Sequence, residues 1–299
     1  MELIDAAELR RRLPMAAAIN ALQEAFRTED AGGTPLRTRI GTAGGQLLLM
    51  PASGRAGVGV KLVTLTPANP ARGRAFVNAV YVLFDTGSQE PEAVIDGAAL
   101  TALRTAAVSG VATRHLAREE ARRLVVFGAG VQARSHVEAM RAVRPIDEIV
   151  LVSRTADRAE AMAAEVGGRT GGPGSVAAAD LVCTCTTSET PVFEGRMLAE
   201  GAHVNAVGAY EPHRRELDTE TIRRARVVVE NREVAMAEAG DIVVPIEEGA
   251  VGPDHVVADI SELVRGKEVR RSPTDITVFK SVGMAFEDLV VARAAVDAG

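Results

Sequence analysis

The chain has no tryptophan, two tyrosines and an aromatic content of 3%. A surface that stacks successive bases of single-stranded nucleic acid needs aromatic platforms, and this composition does not supply them. An excess of positive charge is missing too. The formal net charge is −6, so a phosphate backbone is not the expected partner. No apolar run approaches the ~20 residues that a membrane span requires. The opening stretch MELIDAAELRRRLP lacks the basic-then-apolar order of a signal peptide, and the cytoplasm is the expected location. Only two cysteines occur, Cys183 and Cys185. On a strand a C-x-C pair shares one face, a poor disulfide geometry, and no second pair is there to complete a zinc site. Core thiols are the expectation. The five histidines, at 115, 136, 203, 213 and 255, show no ligand spacing, and no metal is expected.

What is present is an ordinary globular composition, 47% hydrophobic and 25% charged over 299 residues, enough for two domains with their own cores. From about residue 117 to 276, strand and helix patterns alternate, as in a doubly wound α/β sheet. At the head of that region Leu124-Val125-Val126-Phe127 reads as a buried parallel strand. It runs into Gly128-Ala129-Gly130-Val131-Gln132-Ala133, the G-x-G-x-x-A form of the dinucleotide fingerprint. Gly128 permits the tight turn and Gly130 lets a pyrophosphate approach the backbone. A helix from near Val131 aims its free N–H groups at the phosphates. A second strand over 148–153 ends in Ser153-Arg154-Thr155, with Arg158 one turn further on. Sites specific for NAD usually carry an acid there, to bond the ribose hydroxyls. A guanidinium beside two hydroxyls suits a 2′-phosphate, so NADPH is expected ahead of NAD(H).

The N-terminal half reads as an α+β domain. A helical segment covers 3–27, with Pro14 in a first turn, followed by short β-runs at 46–50, 58–65 and 75–84. Turn-rich loops cover 66–73 and 85–91. Two cations here have apolar neighbours: Lys61 in the strand GVGVKLVTL, and Arg104 in the helix GAALTALRTAAVSGVAT. Unpaired cations in a core are costly, so each must reach an anion or water, or snorkel.

Several stretches together resemble one family. They are LRTAAVSGVAT (103–113), GAGVQARSH (128–136), VNAVGA (204–209), RELD (215–218), AEAGD (237–241) and TVFKSVGMAFEDLVVA (277–292). In this order they are similar to the ornithine cyclodeaminase/mu-crystallin family. The resemblance implies a homodimer of two-domain subunits. Residues 1–116 with 277–299 would form the substrate-binding and dimerisation domain, and 117–276 a Rossmann-type NAD(P)-binding domain, with chemistry where the two meet. It places the family's carboxylate-binding arginines at Arg39 and Arg104, and its active-site lysine at Lys61. Cofactor contacts fall on Gly128, Gly130, Val131, Gln132, Ser153, Arg154, Thr155, Thr186, Val207 and Ser281. Val282 and Gly283 line the substrate pocket.

Two departures bear on the chemistry the resemblance implies. Ornithine cyclodeaminases carry an acid where this chain has Leu48, and a catalytic Asp where it has Tyr210. Their loss turns the expectation to the mu-crystallin side, which resembles NADPH-dependent ketimine reductases. The expected reaction is reduction of a small cyclic ketimine carboxylate, such as a pyrroline- or piperideine-2-carboxylate, to L-proline or L-pipecolate. Lys61 is the expected proton donor, Tyr210 and Glu211 are candidate relays, and Glu238 is a further pocket candidate. The alternatives are an ornithine cyclodeaminase, an alanine-dehydrogenase-like or opine-like oxidoreductase, and a protein that only binds NADPH and a small ligand.

Overall fold

Pro14 shapes the start of the fold. Inside a helix a proline removes a backbone donor and clashes with the preceding turn, so residues 3–27 are not one helix. Instead β1 (Glu2–Ile4) leads into α1 (Ala6–Arg12), and α2 (Met15–Thr28) starts anew with Pro14 as its N-cap. The Asp5 carboxylate caps α1, accepting from the N–H groups of Ala7 and Glu8. The computed structural model describes residues 1–29 and 35–299. Strands β2 (Thr38–Thr42), β3 (Gly45–Gly54), β4 (Gly57–Leu65), β5 (Val77–Phe84) and β6 (Pro91–Asp96) follow. They form a six-stranded sheet in the order β1-β6-β5-β4-β3-β2, antiparallel except where β1 joins β6. In β4 alternate residues face opposite sides: Lys61, Val63 and Leu65 are buried while Val60 and Leu62 are half-buried. Across the sheet, Lys61 lies opposite Met50 of β3 and Tyr81 of β5.

Helix α3 (Gly97–Leu116) begins in this unit and ends in another. The chain divides into Met1–Arg104 with Met284–Gly299, and Thr105–Gly283. The second unit is a parallel sheet. Its first part runs β7 (Arg123–Phe127), α4 (Val131–Val143), β8 (Glu148–Val152), α5 (Ala156–Val166) and the short β9 (Arg169–Thr170). The chain then returns through β10 (Leu181–Thr184), β11 (His203–Ala206), α6 (Thr219–Arg224), β12 (Ala225–Val229) and α7 (Arg232–Glu238). Helix α8 (Gly240–Glu247), β13 (Val256–Asp259), α9 (Ile260–Val264) and β14 (Ile276–Lys280) complete it. The strand order is β13-β12-β14-β11-β10-β7-β8-β9, every pairing parallel. The alternation expected over 117–276 is thus a doubly wound sheet.

The expected domain boundaries shift. Residues 277–283 do not join the first unit, because β14 is buried along its whole length and pairs with β11 and β12. The chain returns to the first unit only at Met284, with α10 (Ala285–Asp297) packing on α2 and on β3, β4 and β5. Among the described residues no helix is long and apolar enough to cross a membrane, and no group of His, Cys, Asp and Glu could hold a metal ion.

Gly59 shows how tightly the first unit is packed. A Cβ there would run into the hydroxyl and ring of Tyr81, which is fully buried. Gly59→Ala is therefore expected to lower stability by about 1–3 kcal/mol, measured as a lower urea midpoint. An unchanged midpoint would mean that Tyr81 can tilt away.

Candidate active site

Strands β7 and β10 are neighbours from which the chain runs outward in opposite directions, and ligands bind beyond the carboxyl ends of strands at such a reversal. Here the ends of β7, β8 and β10 enclose a cavity of about 610 Å³. Gly128 has a φ of +109°, and a Cβ there would lie 2.5 Å from the Cys185 carbonyl oxygen, so only glycine fits. At Gly130, by contrast, a Cβ would meet nothing within 4 Å. Behind it α4 starts with Gly130 as N-cap and no side chain bonded to its first N–H groups. Open donors at a helix start, facing a glycine turn with room in front, fit a pyrophosphate. Val131 and Gln132 form the first turn of that helix, as expected.

Ser153, Arg154, Thr155 and Arg158 line the same cavity, as does Thr186. Arg154 and Arg158 are exposed, and among the described residues no carboxylate contributes to the lining. Cys183 is a buried free thiol, whereas Cys185 is half-buried and borders the cavity. Val207 and Ser281 lie outside this lining. The Val207 N–H donates to the Thr184 carbonyl, and the Ser281 hydroxyl donates to the buried Glu230 carboxylate. Glu230 also accepts from the N–H groups of Val282 and Gly283, at 3.0 and 2.7 Å, which fixes that turn.

Two more buried acids brace the strand ends. Glu216 accepts from Thr184 Oγ1, from the N–H and Oγ1 of Thr186, and from the Gly208 N–H, all at 2.7–2.8 Å. Burial pushes its carboxyl above the usual range, against the pull of Lys280. Asp241 accepts from the N–H groups of Glu216 and Leu217 and pairs with Lys280 at 2.8 Å. RELD and AEAGD matched the family without any part assigned to these two acids. An acid in each stretch beside apolar residues was the available signal.

In the first unit the two unusual cations find their anions. Lys61 Nζ lies 2.8 Å from both carboxylate oxygens of Asp288. Arg104 donates from Nε to Asp288 Oδ1 at 3.2 Å and from Nη1 to Glu287 Oε2 at 2.7 Å. All four side chains are buried. Burial is the largest influence on Lys61 and lowers its pKa to about 8; Asp288 opposes the shift, while Arg104 and Arg37 add to it. Sequence reasoning brought Lys61 and Arg104 forward but missed Glu287 and Asp288, although two adjacent acids in MAFEDLVVA are as anomalous as the cations they serve.

Arg39 stands differently. It is exposed on the edge strand β2 opposite Leu48, which itself lies opposite Val63 rather than Lys61. Arg37, half-buried just before β2, is the arginine whose charge reaches Lys61. Tyr210, Glu211 and Glu238 belong to the second unit. Tyr210 packs against its apolar core. Glu211 pairs with Arg214 at 3.0 Å and faces His213 at 3.4 Å. Glu238 is half-buried in the last turn of α7.

Comparison with known proteins agrees with this geometry. The profile described as "Ornithine cyclodeaminase/mu-crystallin family" matches residues 2–298. A Delta(1)-pyrroline-2-carboxylate reductase of Bacillus cereus is 40% identical, over 98% of this chain and 95% of the relative. The structure of Thermococcus litoralis Delta(1)-pyrroline-2-carboxylate reductase in complex with NADH and L-proline has a TM-score of 0.94 and 34% identity, covering 100% of this chain and 97% of that one. An archaeal alanine dehydrogenase dimer with bound NAD has a TM-score of 0.93 at 31% identity, covering 100% and 95%. With a matching profile over almost its whole length, and the glycine turn and buried lysine–arginine pair in place, the chain belongs to the ornithine cyclodeaminase/mu-crystallin family.

Proposed function

We propose that the chain reduces small cyclic ketimine carboxylates with NAD(P)H, NADPH being preferred, turning pyrroline-2-carboxylate into L-proline and piperideine-2-carboxylate into L-pipecolate. The observation that carries the reading is the buried pair of Lys61 and Arg104 on one carboxylate. It sets a lysine able to lose a proton near pH 8 beside a guanidinium suited to a substrate carboxylate. The relatives named as pyrroline-2-carboxylate reductases support the same substrate class. The archaeal dehydrogenase with bound NAD supports a nicotinamide cofactor.

In the reaction the imine carbon gains a hydride and the nitrogen a proton, leaving a cyclic amino acid and the oxidised cofactor. When bound, the dinucleotide supplies that hydride. Arg104 grips the substrate carboxylate, with Arg37 or Arg39 as the second guanidinium. Holding the imine in one orientation lowers the barrier by several kcal/mol. Lys61, protonated below about pH 8, gives its proton to the imine nitrogen. The Gly128–Gly130 turn and the first N–H groups of α4 hold the pyrophosphate, and Arg154, Arg158, Ser153 and Thr155 take the 2′-phosphate. A cavity lining without carboxylates favours that phosphate over a bare ribose.

The functional unit is a homodimer. On the face of the six-stranded sheet opposite Lys61, Leu49, Leu62 and Val80 form one cross-strand row and Pro51, Val60 and Val82 another. Apolar rows left at most half-buried in one chain mark an interaction surface, and the related alanine dehydrogenase is a dimer.

A second reading, reduction of the open-chain imine formed from pyruvate and ammonia, is favoured by that dehydrogenase. Following absorbance of the reduced cofactor separates the two. Oxidation is expected with the cyclic ketimines and little with pyruvate plus ammonia. Oxidation with pyruvate alone, or ammonia release from ornithine without net oxidation, would overturn the proposal. Lys61→Met should cut kcat by about 100-fold or more while cofactor affinity holds. In the wild type kcat should fall as pH rises through about 8, since the donor is then deprotonated. Arg154→Asp should lower the NADPH-to-NADH preference by roughly tenfold or more, one charge-assisted bond being lost; an unchanged ratio of kcat/KM values would remove the 2′-phosphate assignment.

A further inference from the structure

Two cations from different elements meet on one carboxylate of the last helix. Asp288 offers both oxygens to Lys61 Nζ, each at 2.8 Å, and Oδ1 also accepts from Arg104 Nε. Asp288 is 0% exposed, Lys61 1% and Arg104 5%. None of the three can relax toward water, so the two Asp288 oxygens set where the ammonium stands relative to the guanidinium. Glu287 takes Arg104 Nη1 and holds the plane of the fork. Both acids stand on α10, which packs on β3, β4 and β5, so they are carried by a rigid element.

The groups facing Lys61 come from each element around it. Helix α10 contributes Asp288, with Glu287 beside it on Arg104; α3 contributes Arg104; and the segment before β2 contributes Arg37. From β5 comes Tyr81, whose hydroxyl is buried without a hydrogen-bond partner among the described residues. Burial and the nearby Asp288 charge keep Tyr81 protonated. Strand β3 places Met50 opposite Lys61. Burial and both arginines disfavour the ammonium, and Asp288 favours it.

We infer that Asp288 is the positioning residue of this site: it keeps Lys61 in the ammonium form and fixes that ammonium beside Arg104. Asp288 acts through these two side chains and does not touch the substrate. The inference rests on Lys61 being the proton donor, as set out under Proposed function. A buried ion pair that merely fastens α10 to the sheet would have the same contacts, and the pH profile tells the two apart.

The experiment measures kcat and KM against pH for the wild type, Asp288→Asn, Asp288→Glu and Lys61→Met, using pyrroline-2-carboxylate and NADPH. Asp288→Asn should move the alkaline limb of kcat down by about one pH unit or more and raise KM for the ketimine, with NADPH affinity unchanged. Asp288→Glu keeps the charge but displaces it by one methylene, and should restore the limb while KM stays high. A uniform loss of kcat in Asp288→Asn, with the limb unmoved, would overturn the inference and leave Asp288 a fastening residue. If Asp288→Asn does not fold, Asp288→Glu decides: wild-type KM in that variant overturns the positioning. Wild-type turnover in Lys61→Met would bring down the donor reading and this inference together, whereas lost turnover there with an unmoved limb in Asp288→Asn brings down this inference alone.

Discussion

Lys61, Arg104, Glu287 and Asp288 have left water together, and none of them could do so alone. An isolated ammonium in an apolar interior sheds its proton, and an isolated carboxylate takes one up. Two cations against two anions remove that pressure, at little net gain in stability but with a large gain in definition, because each charge has one place to stand. The arrangement also constrains the route of the chain. Lysine and arginine come from β4 and α3, whereas both acids lie on α10, after the chain has built the whole parallel sheet. The first unit is therefore complete only when the C-terminal helix returns to it.

The second unit follows the opposite policy. At the ends of β10, β11 and β14, backbone donors are taken up by buried acids: Glu216 takes those of Thr186 and Gly208, and Glu230 those of Val282 and Gly283, while Asp241 takes those of Glu216 and Leu217 in the loop before α6. At the start of α4 no side chain does this. Beside the glycine turn these open donors stand where a phosphate can make the missing bonds.

Much of this was legible in the residues. The fingerprint, the strand–helix alternation and the arginine at the end of β8 depend on local spacing, which sequence carries directly. Lys61 and Arg104 stood out because a charge among apolar neighbours needs a reason. Their partners were hidden because Glu287 and Asp288 sit in a helix where acids look like an ordinary first turn. The place of Arg37 was also out of reach: two residues apart on an extended chain, Arg37 and Arg39 share a face, yet Arg37 is half-buried and Arg39 exposed. The 277 boundary was misplaced for a related reason. A run such as Ile276–Lys280 suits a buried strand in either unit, and pairing with β11 and β12 is a long-range fact.

The central claim is that Lys61 and Arg104 act as one unit on a substrate acid and its adjacent nitrogen. The most direct measurement is a crystal structure with NADPH and L-proline bound. The account predicts the proline carboxylate on the Arg104 guanidinium, with Arg37 or Arg39 as second fork, the ring nitrogen within hydrogen-bond reach of Lys61 Nζ, and the 2′-phosphate on Arg154. A proline bound away from both cations, with Lys61 and Arg104 still engaged by Glu287 and Asp288, would contradict it.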